Sequence, residues 1–558
     1  MDIKKTGYRN FGSFHTESVQ TLITLPESNY LPPSVPVQVD NEIFSQLESL
    51  PLGKPCRDLF TIDFSNWTFI NHGAFGGVCK PAQLEAEAWR RYCEQQPLTF
   101  IDRELFPQMV RVIRDMSRSL LCDPQDLVFV SNATTGLNAA IQSVSIGPTQ
   151  VLYALDLGYG SVKKMAHAYH GSIGVVYGEV TLPITCEDEI VDLVRRTLPP
   201  NAGLAVFDAV TSNTAVRLPL HRLVQLCKER NVPVLIDAAH ALGQLTMSDP
   251  STPLPFSDAS TSLIPDGALA APTPTIASPP STPFEADPAC VPALLDPDFW
   301  VANCHKWLAA PRGSALLWVR RDRQRAVRSP IISHGFGDGF ASEFIWDGCR
   351  DYAPYLASSA AMRMWKALGP RRCVMYCRSL LADAVRLLVQ RWWQACGLNE
   401  RELLSYMVAP LSMCGSMALV ALPAVLQVVV FQDAVPQDVD AVHADDDESS
   451  VRAQIESSGV WSKKVVRQSD DVMKVRKYVG TSTDAKYIQD LLHFKYGIEC
   501  PTKTISSRLF VRISCAIYND LDDYIKLADA ISQIADDTVQ QRSMANACEI
   551  KTSETETV

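Results

Sequence analysis

Four runs in this 558-residue chain carry residue types that could do covalent chemistry on an aldehyde. The first is Asp298-Phe299-Trp300-Val301-Ala302-Asn303-Cys304-His305-Lys306-Trp307. A lysine amine condenses with an aldehyde when an apolar or cationic setting lowers its pKa. The apolar residues before Lys306 offer such a setting, and Asn303 and His305 could both reach a phosphate. The second run, Pro233-Val234-Leu235-Ile236-Asp237-Ala238-Ala239-His240, ends an apolar strand in a carboxylate. An ionised carboxylate there is costly unless paired. A protonated pyridine nitrogen is a suitable partner and keeps such a ring an electron sink; the alternative is a helix N-cap. His240 could stack on the ring or hydrogen-bond to it, although a lone histidine is more often structural. The third run, Phe129-Val130-Ser131-Asn132-Ala133-Thr134-Thr135-Gly136, reads as a strand-to-helix turn. Helix N-termini offer free N–H groups and a favourable dipole to phosphate, and the Thr134 and Thr135 hydroxyls add donors; the alternative is a plain helix cap. The fourth, Phe510-Val511-Arg512-Ile513-Ser514, sets a charge inside an apolar strand. Its fork suits a carboxylate, unless it faces outward as alternate strand residues do. An amine for an aldehyde, an acid for a ring nitrogen and a phosphate cradle are the parts needed to hold pyridoxal 5'-phosphate.

These residues need a scaffold. Apolar strands alternate with helices: Leu127–Val130, a helix from Thr135; Val151–Ala154, a helix from Ser161; Gly174–Tyr177, a helix from Asp188; Leu204–Phe207, a helix from Leu220; Val232–Ile236. Such alternation predicts an α/β fold with a mainly parallel sheet flanked by helices, which binds ligands at the carboxyl ends of its strands. Thr134, Asp237 and Lys306 all follow strand ends. Helical spacing also covers Gln83–Gln95, Arg103–Leu121 and Ser358–Leu388. A strand at Leu509–Ser514 and a helix at Asp523–Ile534 suit a smaller α+β domain. The expected organisation is an N-terminal arm over 1–60, partly disordered, a large domain over 61–350, a small domain over 351–540 and a disordered tail over 541–558. Two insertions interrupt it: a Pro/Ser/Thr-rich one over about 248–296 and an acidic, polar one over about 433–481, partly helical near Val451 to Glu456.

Composition narrows the function classes. A formal net charge of −11 argues against a nucleic-acid surface. The basic stretch Arg320-Arg321-Asp322-Arg323-Gln324-Arg325 reads as a solvated loop or helix start. No apolar run is long enough for a membrane span, and Met413–Val430 reads as two buried strands around a turn. The 16 cysteines show no paired Cys-x-x-Cys spacing, so no metal site is expected. No signal peptide follows Met1-Asp2-Ile3-Lys4-Lys5, which points to a cytoplasmic chain with reduced thiols.

Taken together, these motifs resemble the class V aminotransferase family of fold-type I pyridoxal-phosphate enzymes. The resemblance is to the branch holding isopenicillin N epimerase-like proteins, L-cysteine desulfhydrases and hercynylcysteine sulfoxide lyases. It is carried by Ile70-Asn71-His72-Gly73-Ala74-Phe75-Gly76, Asn132-Ala133-Thr134-Thr135, Gly158-Tyr159-Gly160-Ser161-Val162-Lys163-Lys164, Asp237-Ala238-Ala239-His240 and Asn303-Cys304-His305-Lys306-Trp307. Further matches are Trp346-Asp347-Gly348-Cys349-Arg350-Asp351-Tyr352, Met413-Cys414-Gly415-Ser416-Met417 and Arg512-Ile513-Ser514-Cys515-Ala516-Ile517-Tyr518-Asn519. The resemblance implies that Lys306 forms the Schiff base, Asp237 pairs with the ring nitrogen and His240 lies near the ring hydroxyl. It implies phosphate contacts from Ala133, Thr134, Thr135, Asn303 and His305. Tyr159 would cover the ring and Asn213 would lie near the cofactor. Arg512 would hold the carboxylate of a small amino-acid substrate, with Asn71, His72 and Gly73 lining its pocket. It further implies a homodimer with shared active sites, in which Gly348-Cys349-Arg350 reaches the neighbour. The chain departs from the pattern at Cys349, where threonine is usual, at Ala209, where relatives often have histidine, and in both insertions.

The resemblance leaves the reaction open between β-elimination, epimerisation and transamination. A cysteine desulfurase needs a mobile cysteine shortly before the carboxylate-binding arginine. Here that stretch reads Gly497-Ile498-Glu499-Cys500-Pro501-Thr502-Lys503, without the usual loop. The expectation is a carbon–sulfur β-lyase on cysteine or a cysteine conjugate, with an epimerase or aminotransferase as alternative and a non-catalytic scaffold as the rival from another class.

Overall fold

The computed structural model describes residues 19–37, 42–170, 174–245, 287–433, 464–467 and 473–555. After a two-residue strand, β1 (Thr68–Phe69), the chain builds a seven-stranded sheet. Its strands are β2 (Leu127–Val130), β3 (Val151–Leu155), β4 (Val175–Gly178), β5 (Ala202–Asp208), β6 (Val234–Asp237), β7 (Phe299–Asn303) and β8 (Ala315–Val319). They lie in the order β2-β8-β7-β6-β5-β3-β4. Neighbours from β7 through β4 run parallel, and β8 is antiparallel to both its partners. The strands are apolar nearly throughout because both faces are covered. Val130, Ala154, Leu235, Val301 and Leu317 join one core cluster. Phe129, Tyr153, Ile236, Trp300 and Leu316 join the other, as alternation along a strand requires. Among the connecting helices are Ala133–Ser143, Gly160–His170, Glu187–Thr197 and Leu220–Glu229.

The last third adds β9 (Met417–Ala421), β10 (Val429–Asp433), β11 (Lys464–Arg467), β12 (Met473–Tyr478), β13 (Ile498–Glu499), β14 (Thr502–Ile505) and β15 (Arg508–Ser514). They form two antiparallel sheets, β14-β15-β9 and β10-β12-β11, while β13 pairs in parallel with β1. Helices Ser358–Leu368 and Pro370–Trp393 meet at Gly369, whose φ of 81° breaks the single helical stretch expected from sequence. Cys373 and Cys377 are both buried on the second of these, one packed face.

Several boundaries differ from the sequence reading. Residues 19–37 are docked rather than loose. Val19 and Ile23 are buried, and the buried Arg114 guanidinium donates to the Ile23 and Leu25 carbonyls (3.1 and 2.8 Å). It also pairs with Glu27 and stacks on Tyr30. Residues 287–296, assigned by composition to the first insertion, are packed. Cys290 and Leu295 are buried, and the Trp300 indole donates to the Ala289 carbonyl (2.9 Å). The apolar run from Ala289 to Leu295 accounts for this. The remainder of that insertion lies outside the described residues, as does the expected helix near Val451. The flanks of the second insertion are strands β10 and β12, not polar loop. The C-terminal helix runs Leu521–Thr555, well past Ile534, because no glycine or proline interrupts it. Arg320 to Arg325 form a turn and a short 3-10 segment, with Arg320 and Arg323 paired to Asp298.

Candidate active site

Strands β5, β6 and β7 end in Asp208, Asp237 and Asn303. Each is one residue beyond a side chain of the Phe207, Ile236, Ala302 face, so all three project to the opposite face. A cavity of about 170 Å³ opens there, lined among others by Asn132, Ala133, Thr134, Tyr159, Ser212, His240, His305 and Lys306 together with those three strand ends.

Lys306 follows β7 and is half-buried; desolvation holds its amine down to about 8, against the pull of Asp237. Its Nζ lies 3.0 Å from His240 Nε2. His240 is itself buried, which keeps its imidazole neutral, and the Lys306 charge acts in the same sense. Asp237 accepts from the Ala239 N–H (3.0 Å), a local turn bond. Burial still raises its carboxyl, so a cation would relieve it. Asp208 is its register partner on the neighbouring strand. Burial and the Asp237 charge push it far up. Two buried carboxylates side by side do not both ionise readily. Asp208 was not singled out from the sequence, although Phe207-Asp208 carries the same signal as Ile236-Asp237, an acid ending an apolar strand.

The helix Ala133–Ser143 supplies the cradle. Asn132 caps it by accepting from the Thr135 N–H (2.9 Å), and Asn303 accepts from the Ala133 N–H (2.9 Å). That leaves the amide and hydroxyl of the exposed Thr134 for an anion at the helix N-terminus. Thr135 does not line the cavity. Its hydroxyl is engaged by Asn132 (3.2 Å) and Ser131 (2.9 Å). His305 Nδ1–H donates to the Ser314 carbonyl (3.0 Å), which leaves Nε2 for the cavity.

Arg512 does not line the cavity; it is buried behind Ser212, which does. One guanidinium nitrogen donates to the Ser212 carbonyl and another to Asn71 Oδ1 (3.2 Å), while Nε has no protein partner. Burial lowers it to about 10. An orphaned buried donor beside the cavity suits a carboxylate.

Other expected site residues lie elsewhere. His72 and Gly73 do not line the cavity; Ala74 and Phe75 do. His72 Nε2–H donates to the Lys306 carbonyl (3.1 Å), and its Nδ1 accepts from the Tyr518 hydroxyl (2.8 Å). Asn71 is spent on Arg512 and on Glu499. Asn213 is exposed and outside the lining, where its neighbour Ser212 stands instead. Arg350 stacks on Tyr352 and Tyr355 and pairs with Asp347 (2.6 Å) within its own chain, away from this cavity. Gly76, at φ 67°, packs on the lysine from outside; a Cβ there would overlap the His305 carbonyl and approach the Lys306 carbonyl to 2.7 Å.

The chain is similar to several solved structures. The cystine C–S lyase C-DES, solved with its product cysteine persulfide, superposes with a TM-score of 0.54 at 14% identity, covering 84% of this chain and 97% of that one. A cysteine desulfurase from Thermococcus onnurineus NA1 gives 0.55 at 12%, covering 87% and 98%. The fold is therefore the class V, fold-type I fold. Its relatives by sequence agree. A putative L-cysteine desulfhydrase 1 of Oryza sativa subsp. japonica is 26% identical over 495 residues, 84% of this chain and 83% of the relative. An L-cysteine desulfhydrase of Arabidopsis thaliana is 25% identical. More distant relatives include a hercynylcysteine sulfoxide lyase of Schizosaccharomyces pombe (19%) and an isopenicillin N epimerase of Amycolatopsis lactamdurans (23%). No family model matches the chain.

Proposed function

We propose that this chain is a pyridoxal 5'-phosphate-dependent carbon–sulfur β-lyase acting on cysteine or a cysteine conjugate. The carrying observation is the lining of the cavity: one half-buried amine, two buried carboxylates, a helix N-terminus and no thiol from the same chain. The residues fit the cofactor. Asp237 would face the ring nitrogen, His240 the ring edge and Tyr159 a ring face. Thr134, Ala133, Asn303 and His305 would surround the phosphate. Bound there, the cofactor supplies an electron sink for the pair left at Cα. Arg512 holds the substrate carboxylate, and the Lys306 amine takes the α-proton. Cleavage of Cβ–S then releases sulfide from cysteine, or a thiol or sulfenate from a conjugate, with pyruvate and ammonia after hydrolysis.

Within one chain no thiol lines the cavity, which favours this reading over a desulfurase, which must form a persulfide. Cys500 and Cys515 are buried, and burial pushes both thiols up. The segments 246–286 and 434–463 contain no cysteine. The same reading includes a homodimer, with Gly348-Cys349-Arg350 directed at the partner's site, and a reducing compartment such as the cytoplasm. It is supported by unpaired cysteines among the described residues. Among those residues no helix is long and apolar enough to cross a membrane.

The test is to add L-cysteine and cysteine conjugates to the reconstituted protein and quantify sulfide or thiol and pyruvate. Stoichiometric release of both is expected. Deuterium uptake at Cα with neither product would overturn the lyase in favour of the epimerase.

A further inference from the structure

Trp307 follows the lysine, is buried, and has no role in the chemistry above. Its indole Nε1–H donates to Nδ1 of His240 at 3.2 Å. An indole nitrogen is a donor only. His240 Nδ1 must therefore present its lone pair, and the neutral ring carries its proton on Nε2. That Nε2 is the atom 3.0 Å from Lys306 Nζ. An Nε2–H needs an acceptor, and Nζ is an acceptor only as the free amine. An ammonium there would set one N–H against another.

We propose that Trp307 is a positioning residue: it fixes the His240 tautomer and, through it, holds Lys306 Nζ as the free base that attacks an aldehyde. The second half rests on the cofactor reading above, whereas the tautomer stands on the hydrogen bonds alone. The other charged groups acting on Lys306 are Asp237 and Asp208 at the ends of β6 and β5, and Arg512 on β15. Trp307→Phe leaves all three in place and removes only the indole donor from the chain of bonds. The Trp307 ring also packs on the His72 ring, centroids 5.1 Å apart, and phenylalanine can keep that contact.

The test uses the full-length, cofactor-free protein with ¹⁵N-labelled histidine, His240 being assigned by loss of its signals in His240→Gln. The wild type is expected to show Nδ1 unprotonated and Nε2 protonated. In Trp307→Phe the tautomers should mix. The pH midpoint for reaction of Lys306 with added pyridoxal 5'-phosphate, followed by loss of the free aldehyde absorbance, should rise by about one unit. Below that midpoint the reaction should be about tenfold slower. A wild-type His240 protonated on Nδ1, or on both nitrogens, would overturn the proposal, and this spectrum decides even if Trp307→Phe does not fold. An unchanged tautomer and midpoint in a folded Trp307→Phe would overturn it as well. A wild type with the expected tautomer that never reacts with the aldehyde would instead sink the cofactor reading and uphold the tautomer assignment.

Discussion

Two buried imidazoles hold Lys306, and they do opposite things. His72 grips the main chain: its Nε2–H goes to the Lys306 carbonyl, and its other nitrogen is tied to Tyr518 in the loop after β15. His240 faces the side chain, with Nε2 beside the amine and Nδ1 tied to Trp307. Both are kept neutral by burial. One therefore sets where the lysine is, and the other sets which form its amine takes. The same residue type serves position or chemistry according to which atom of its neighbour it meets.

The comparison can be broken at its centre. Lys306→Ala removes the one amine that lines the cavity among the described residues, and turnover should fall by at least about a thousandfold, as measured by product release. The same variant should no longer retain the cofactor after borohydride reduction and denaturation.

Separating the two imidazoles comes next. His240→Ala should lower kcat about a hundredfold and, because it strands the buried Trp307 indole, also cost stability. His72→Ala should destabilise the fold by about 2–4 kcal/mol, since it opens a cavity and strands the Tyr518 hydroxyl. Urea unfolding beside steady-state kinetics distinguishes them; equal effects of both variants on both readouts would erase the distinction.

His72 also makes a pH prediction. Burial lowers its imidazole from 6.5 to about 4. Between those values the unfolded chain binds a proton that the folded chain does not, so stability rises with pH across that window. Its contribution is whole above about 6.5 and falls by about 3 kcal/mol as pH drops to about 4. Melting curves of His72→Gln should be flatter over that range than those of the wild type.

A comparable loss is expected from Gly76→Ala, whose Cβ would overlap the His305 carbonyl at a positive φ. About 2–4 kcal/mol is anticipated, with a further drop in cofactor retention. The smallest effect belongs to Asn213→Ala. Its side chain is exposed outside the lining, so cofactor affinity, read by fluorescence titration, should change by less than about twofold.

The strand–helix alternation was legible because buried parallel strands are continuous apolar runs. For the same reason, a charge ending such a run stood out at Asp237 and just beyond one at Lys306. Asp208, at the end of the run Leu204–Phe207, carries the same cue. The duty of His72 was not legible, since its partners lie 234 and 446 residues away in the chain. Thr135 misled because a threonine at a helix start serves equally as phosphate donor or as part of the cap, and only the Asn132 geometry decides. Asn213 and Ser212 are adjacent, and the turn after β5 determines which one faces inward. Residues 287–296 were lost to the Pro/Ser/Thr-rich stretch beside them, although their own apolar content argued for packing.

The strap around Arg114 bears on how the protein can be shortened. Its guanidinium is 3% exposed and draws its acceptors from Leu22, Ile23, Leu25 and Glu27. Starting expression at residue 28 would strip the guanidinium of these carbonyl acceptors and of Glu27, and would remove the buried packing of Val19 and Ile23. A trimmed version for crystallisation should therefore begin at or before Val19, and Arg114→Met is the companion change that would let a shorter one fold.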